Sequence, residues 1–257
     1  MSAFDADWLS LRTVADDRAR NRRLAVALSD HFAGEAHLRI LDLGAGTGAT
    51  MRAVSPLLPD AQTWVLCDND PALLAKAQAP APKHRVETIV ADLSQDPAPL
   101  FVARPDLVTA SAFFDLVSAA WIEHFVGVLA AHRVPLYAAL SYDGREAWHP
   151  AHSLDTAALA AFHTDQRRDK GLGAALGPEA HAHLAECLAA AGYRVQSGDS
   201  DWVLRAPEDT PLIAALAAGS AAAIQPTLGP EADVWAKARA AATHVCIGHK
   251  DLLAVPR

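Results

Sequence analysis

Ile40-Leu41-Asp42-Leu43-Gly44-Ala45-Gly46-Thr47-Gly48 is the stretch that decides how this chain folds. A short run of branched and leucine side chains reads as a buried strand, which delivers an acid and then turns through three glycines spaced GxGxG. A residue without Cβ lets the backbone turn sharply and lie close against a ligand. The residues that follow, Ala49, Met51, Arg52, Ala53 and Val54, read as a helix. Its first amide groups have no partner within the helix and face whatever occupies the loop. Strand, glycine loop and helix together make a nucleotide-type pocket.

Two cofactor classes compete for such a loop. Gly44, Gly46 and Ala49 satisfy the nicotinamide and flavin fingerprint G-x-G-x-x-G/A. Asp42 favours the other class, because a carboxylate between Leu41 and Leu43 is costly unless a cation or a donor meets it. An anionic pyrophosphate is repelled there, whereas an ammonium group is held. With Gly48 as the third glycine, the segment resembles motif I of the class I S-adenosylmethionine (SAM)-dependent methyltransferases. The resemblance implies a cofactor bound at Asp42, Gly44, Ala45, Gly46 and Gly48 and released as S-adenosylhomocysteine.

Later strand ends extend the resemblance. Thr63-Trp-Val-Leu-Cys-Asp68 ends in an acid at the distance a βαβ unit requires, placed to accept hydrogen bonds from two ribose hydroxyls. Asn69 belongs to the same site, and Asp70 has the alternative role of capping the helix that Pro71 opens. Val86-Glu-Thr-Ile-Val-Ala91 ends at Asp92-Leu93. In the family an acid here meets the adenine amine while the next residue packs on the ring, although Asp is also an ordinary turn residue. Pro105-Asp-Leu-Val-Thr-Ala110 leads into Ser111-Ala-Phe-Phe-Asp-Leu116, which resembles motif IV. It lacks the Asn/Asp-Pro-Pro-Tyr/Phe segment of members that methylate amide or adenine nitrogens, which argues against those substrates. Ser111 is a candidate for the cofactor carboxylate or a water. Phe113 and Phe114 either shield the sulfonium or pack in the core, and Phe113 is the candidate substrate contact.

Beyond motif IV the pattern predicts a helix from about 116 to 131, a strand over 134–140, and helices near 155–168 and 178–191. A strand over 193–197, further helices and a terminal strand over 243–248 follow, and 200–204 either extends the sixth strand or forms a hairpin. The expected class is α/β, a Rossmann-like doubly wound seven-stranded sheet with helices on both faces. The resemblance implies that its last strand runs antiparallel beside the fifth. One domain is expected over 1–257: a helical cap over 1–35, a cofactor-binding half over 36–140, and a substrate-side half over 141–257 carrying helical insertions.

A formal net charge of −8 speaks against a nucleic-acid substrate, since phosphate binding draws on clustered Lys and Arg. Two basic clusters exist, Arg18/Arg20/Arg22/Arg23 and Arg167/Arg168/Lys170, and the first reads as a solvated helix face or a lid. No apolar run nears the roughly 20 residues that span a membrane, and the first residues lack signal-peptide character. Cys67, Cys187 and Cys246 form no metal or redox motif. The expectation is a cytoplasmic enzyme for a small-molecule methyl acceptor, monomeric or homodimeric, with neither nucleic acid nor membrane as partner.

Two polar stretches are candidate substrate sites. From Trp8 to Asn21 apolar residues recur near helical spacing, so this is a cap with Arg18 or Arg20 reaching the methionine carboxylate, or a plain packing helix. Ser141-Tyr-Asp-Gly-Arg-Glu-Ala-Trp-His-Pro150 follows strand five as a loop, where open α/β sheets bind ligands. Tyr142 and Trp148 are its candidate substrate contacts. His149, His152 and Asp155 have a spacing that suits a metal, but surface histidines and a helix cap explain them equally, and no metal is expected. The segment 163–178 reads as a mobile flap or a helix end. Asp115, His124 and His149 are the candidate general bases. Two alternatives stay open: a nicotinamide-dependent oxidoreductase, and a non-catalytic SAM-binding subunit.

Overall fold

The structure, a computed structural model, describes residues 5–78, 83–169 and 171–257. The opening 1–4 and Lys170 of the second basic cluster lie outside the described residues. Five strands form the parallel part of one sheet, in the order β3 (Arg85–Val90), β2 (Gln62–Asp68), β1 (Leu38–Leu43), β4 (Leu107–Ser111) and β5 (Leu136–His149). β8 (His244–Pro256) then enters antiparallel between β5 and β6 (Tyr193–Asp199). The antiparallel insertion beside strand five is therefore present. β7 (Trp202–Arg205) also pairs with β8, past the end of β6.

β1 and β2 are nearly continuous apolar runs because helices cover both faces of the sheet. On one face α5 (Ala119–His132) and α7 (Ala180–Ala190) bury Phe125, Leu129, Leu184 and Leu188. On the other, α2 (Arg22–Phe32), α3 (Ala49–Val54) and α4 (Pro71–Gln78) enclose Trp64, Leu66, Leu28 and Val54. Each fully buried side chain of this kind stabilises the fold by roughly 1.5–3 kcal/mol. A third core lies beyond the C-terminal end of β4. There α1 (Ala6–Ala19), α6 (Asp155–Gln166), α8 (Thr210–Leu228) and α9 (Pro230–Arg239) pack on the outer halves of β5 and β8 and on β7.

That third core corrects four expectations. Residues 141–149 are strand, not loop: β5 continues to His149 because β8 runs beside it. Two irregularities, at 138–141 with Leu140 at φ 56° and at 142–146 around Gly144 at φ 86°, break the alternation that would have marked it. The last strand likewise runs on to Pro256. The sheet has eight strands, since Ser200-Asp201 interrupts the sixth and β7 resumes along β8. Finally, α8 is by length and composition apolar enough to cross a membrane. Its Leu212, Ile213, Ala217 and Ile224 are instead packed in the third core, and alanine supplies much of the remaining hydropathy.

One carboxylate joins these parts. Asp251, wholly buried on β8, accepts hydrogen bonds from Leu140 N–H (2.8 Å), Asn21 N–H (2.8 Å) and Tyr137 O–H (3.2 Å). Leu140 is the bend in β5, and Asn21 is the residue whose side chain caps α2 by accepting from Leu24 N–H. Removing the acceptor leaves the buried Leu140 amide and the half-buried Asn21 amide unsatisfied, at roughly 1–3 kcal/mol for each that water does not reach. Asp251→Ala is therefore expected to lose at least about 3 kcal/mol in urea unfolding and Asp251→Asn clearly less. Equal losses would show that the carboxylate is not what holds the bend.

Candidate active site

The glycine loop emerges between β1 and α3. Gly44, Gly46 and Gly48 have φ of 63°, 52° and 77°, the left-handed region that side chains rarely adopt. A Cβ on Gly44 would stand 3.1 Å from the Phe113 ring, and one on Gly46 would stand 3.2 Å from Leu9 Cδ1. The loop is thus held between α1 and the segment after β4. Ala45 and Gly48 shape the turn behind it, Ala45 N–H donating to Cys67 O and Gly48 N–H to Ala45 O. Asp68 ties loop to strand: Oδ2 accepts from Gly46 N–H (2.8 Å) and Oδ1 from Asp70 N–H (3.0 Å). Asp70 caps α4 by accepting from Ala72 N–H (2.7 Å).

In front of the loop lies a cavity of about 580 Å³, ordinary for a small ligand. Gly44, Gly46, Asp68, Asn69, Asp92, Leu93, Ser111 and Phe113 all line it, so strand ends far apart in sequence meet here. Asp92 is exposed at its mouth, and Ser94 N–H (2.9 Å) holds its carboxyl below the usual range. Leu93 is buried beneath, its carbonyl accepting from the Trp121 indole N–H (2.7 Å). Phe113 faces the cavity and packs edge-on against Trp121 and Phe114, while Phe114 is core. Ser111 Oγ accepts from both terminal nitrogens of Arg20 at 3.3 Å. Acids at two strand tips, an apolar seat and a cation at the third fit the sugar, base and amino-acid ends of SAM.

Asp42 stands one layer further back. It is wholly buried and absent from the cavity wall, and its Oδ1 accepts from Thr109 O–H (2.7 Å) on the neighbouring strand. Its Oδ2 is buried without a hydrogen-bond partner among the described residues. Burial pushes its carboxyl up to about 7, against the opposing Thr109 hydrogen bond. Between the ordinary carboxylate value and 7 the folded protein therefore keeps a proton that the unfolded chain releases, so stability falls as pH rises through that window. Asp42→Asn, which cannot ionise, should gain on the wild type between pH 5 and pH 8 by on the order of a few kcal/mol in urea unfolding. A difference independent of pH would overturn this.

A second cavity, of about 600 Å³, opens beside the first and shares Arg12, Ala112 and Leu116 with it. Its wall carries Trp8, Tyr142, Trp148, Phe162 and Trp202, with Asp115, Glu146 and His249 among them. Tyr142 and Trp148, expected on a loop, reach it from the extended β5. Tyr142 O–H donates to Glu146 Oε1 (2.9 Å) and the Trp148 indole N–H to Oε2 (3.1 Å). His249 Nδ1 lies 3.0 Å from Ile247 O. A carbonyl only accepts, so Nδ1 carries the proton and Nε2 is the acceptor. Burial lowers this imidazole to about 4, keeping it neutral.

Three expected roles are corrected. Arg18 pairs with Asp209 (2.6 Å) on the outer surface, away from both cavities, because the turn of α1 that faces inward carries Arg12. His124 lies on the exposed face of α5, paired with exposed Asp96 at 2.8 Å. His149 ends β5 in solvent opposite His244. Asp155 is engaged by His152 N–H and the Trp235 indole, and no group of three metal-ligating side chains occurs among the described residues. Sequence reading missed Glu146 and His249, since both sit in strands that read as loop or as chain end. Arg12 had one available signal, the i,i+4 spacing to Asp16 that it pairs with.

Residues 40–133 match a family model described as a methyltransferase domain. No curated protein matches the chain. Among solved structures, a cyclopropane-fatty-acyl-phospholipid synthase-like protein from Lactobacillus casei superposes with a TM-score of 0.56 at 14% identity, covering 94% of this chain and 92% of that one. The YcgJ protein of Bacillus subtilis gives 0.51 at 14% identity, covering 92% and 99%, and a putative methyltransferase of Bacillus halodurans gives 0.50 at 14%, covering 91% and 99%. These likenesses speak for the fold. The nicotinamide alternative fails on the same ground, since the dinucleotide fold continues 3-2-1-4-5-6 where this sheet inserts an antiparallel strand. Strand order and the methyltransferase-domain match over 40–133 agree with the resemblance of the glycine loop to motif I of the SAM-dependent methyltransferases.

Proposed function

We propose that the chain is a SAM-dependent methyltransferase, and that it methylates an oxygen or nitrogen of a small polar molecule bearing an aromatic or heteroaromatic ring, held in the second cavity. The observation that carries this reading is the shared wall: Arg12, Ala112 and Leu116 border both cavities, so a molecule among the aromatic rings is a neighbour of the cofactor. The cavity's five aromatic side chains give a flat ring apolar and edge-on contacts worth about 0.5–1.5 kcal/mol per pair beyond burial.

Bound SAM supplies an electrophilic methyl group. In this reading Asp68 and Asn69 hold the sugar, Asp92 and Leu93 the base, and Ser111 with Arg20 the amino-acid carboxylate. Phe113 walls off water from the reacting atoms. What remains for the protein is to hold the acceptor in line and to take its proton. Asp115 is placed for the second task, in the short turn Phe114–Leu116 just past β4 and on the wall of the acceptor cavity next to Leu116. His249, neutral with Nε2 available, orients the acceptor as a hydrogen-bond acceptor. The cytoplasm and a small-molecule acceptor agree with the acidic net charge.

Calorimetry with SAM should give micromolar binding, and Asp68→Ala should weaken it about tenfold or more by removing the ribose acceptor, a charged hydrogen bond. Asp115→Asn should keep SAM affinity and lower methyl transfer by about 10²-fold or more. Incubating cell extract with isotopically labelled SAM should place the label in small molecules absorbing in the near ultraviolet. Label appearing instead in RNA, protein or lipid would overturn the proposal.

A further inference from the structure

The charges on the acceptor cavity do not balance one another. Arg12 is held by Asp16 through two hydrogen bonds (2.9 and 3.1 Å), with its guanidinium 4.9 Å from the Trp202 ring centre. Arg168 is held by Asp165 at 2.8 Å. Each arginine on the wall thus has its own carboxylate, and neither offers an uncompensated positive charge to an anionic ligand. Glu146 is different. Its partners are the neutral Tyr142 hydroxyl and the neutral Trp148 indole, and among the described residues no Lys, Arg or His forms an ion pair with it.

A carboxylate has about four acceptor positions, and these two donors use two. Neutral donors do not offset the cost of removing a charge from water. Burial accordingly pushes the Glu146 carboxyl up, with Asp155 adding to the effect. Glu146 also sits where the acceptor cavity meets a smaller one of about 290 Å³, bordered again by Trp148 and Phe162, so the carboxylate is reached from both sides. Aromatic faces around a half-buried carboxylate that pairs with no cation among the described residues favour one kind of guest, a positive charge with an apolar body.

We infer that the methyl acceptor carries a cationic nitrogen, an ammonium or a protonated ring nitrogen, and that Glu146 with the surrounding Tyr142, Trp148 and Phe162 holds that charge. The inference rests on the second cavity being the acceptor site, and it adds the acceptor's charge. Glu146 is here a binding residue that sets which acceptors enter, separate from the proton transfer assigned to Asp115.

The test is a titration of the full chain, loaded with S-adenosylhomocysteine, with three probes of one size: benzylamine, benzyl alcohol and benzoate, followed by tryptophan fluorescence. Benzylamine should bind at least about tenfold tighter than benzyl alcohol, and benzoate weakest. Glu146→Gln should abolish that preference while S-adenosylhomocysteine affinity stays unchanged. Equal binding of amine and alcohol, tighter benzoate, no binding of any probe, or a preference that survives in a folded Glu146→Gln would overturn the inference. The wild-type comparison decides even where the variant does not fold. Cation-exchange separation of the labelled small molecules distinguishes the two readings. Label in neutral or anionic small molecules removes the cationic acceptor and leaves the proposed function standing. Label in macromolecules removes both.

Discussion

The bend in β5 at Leu140 is where this sheet passes from its parallel half, which carries the glycine loop, to the half that lines the second cavity. Up to Ala139 the strand runs parallel beside β4 and belongs to the cofactor half; beyond the bend it leaves β4 and pairs only with β8. A left-handed leucine in the middle of a strand has no local reason to exist. Asp251 supplies one, by meeting the Leu140 amide from the neighbouring strand where both residues are buried. The same carboxylate fixes Asn21, and hence where α1 ends and α2 begins. Because Leu9, Arg12 and Trp8 on α1 complete the walls of both cavities, one buried acid sets the cap, the bend and the meeting of the two sites.

Electrostatics divides the two cavities as clearly as shape does. The cofactor side is built from acids whose protein partners are mostly backbone amides: Asp68 with Gly46 and Asp70, Asp92 with Ser94. Each keeps further acceptor positions for hydroxyl or amine donors. Behind them Asp42 is starved of solvent and rises toward neutrality. On the acceptor side the arginines are matched within the protein, and Glu146 is left among indole and phenol groups. Around it stand the aromatic rings of the second cavity.

What made the cofactor half readable was locality. The glycines that must adopt positive φ, the acids at successive strand ends and the helix that follows each strand all lie within short windows, and each obeys a rule that acts on neighbours in sequence. Even there the depth of Asp42 was not legible, since it depends on Thr109 and β4 lying directly alongside. The candidates His124 and His149 failed for a related reason: proximity to a strand end says nothing about which face of a helix or strand a side chain takes.

By itself, then, the amino-acid order determined a parallel α/β sheet, a glycine loop and most of the residues that meet at the first cavity, because those features are written in spacings of a few residues. The tertiary structure alone decided the second cavity. Glu146 and His249 are separated by 103 positions in the chain and meet only because β5 and β8 run antiparallel past Leu140. Their strands are interrupted by bulges and charged residues that hide the alternation, and the contact that aligns them, Asp251 to Leu140, spans 111 residues. Pairing over such distances is set by packing and by the need to satisfy buried amides, which no local pattern encodes.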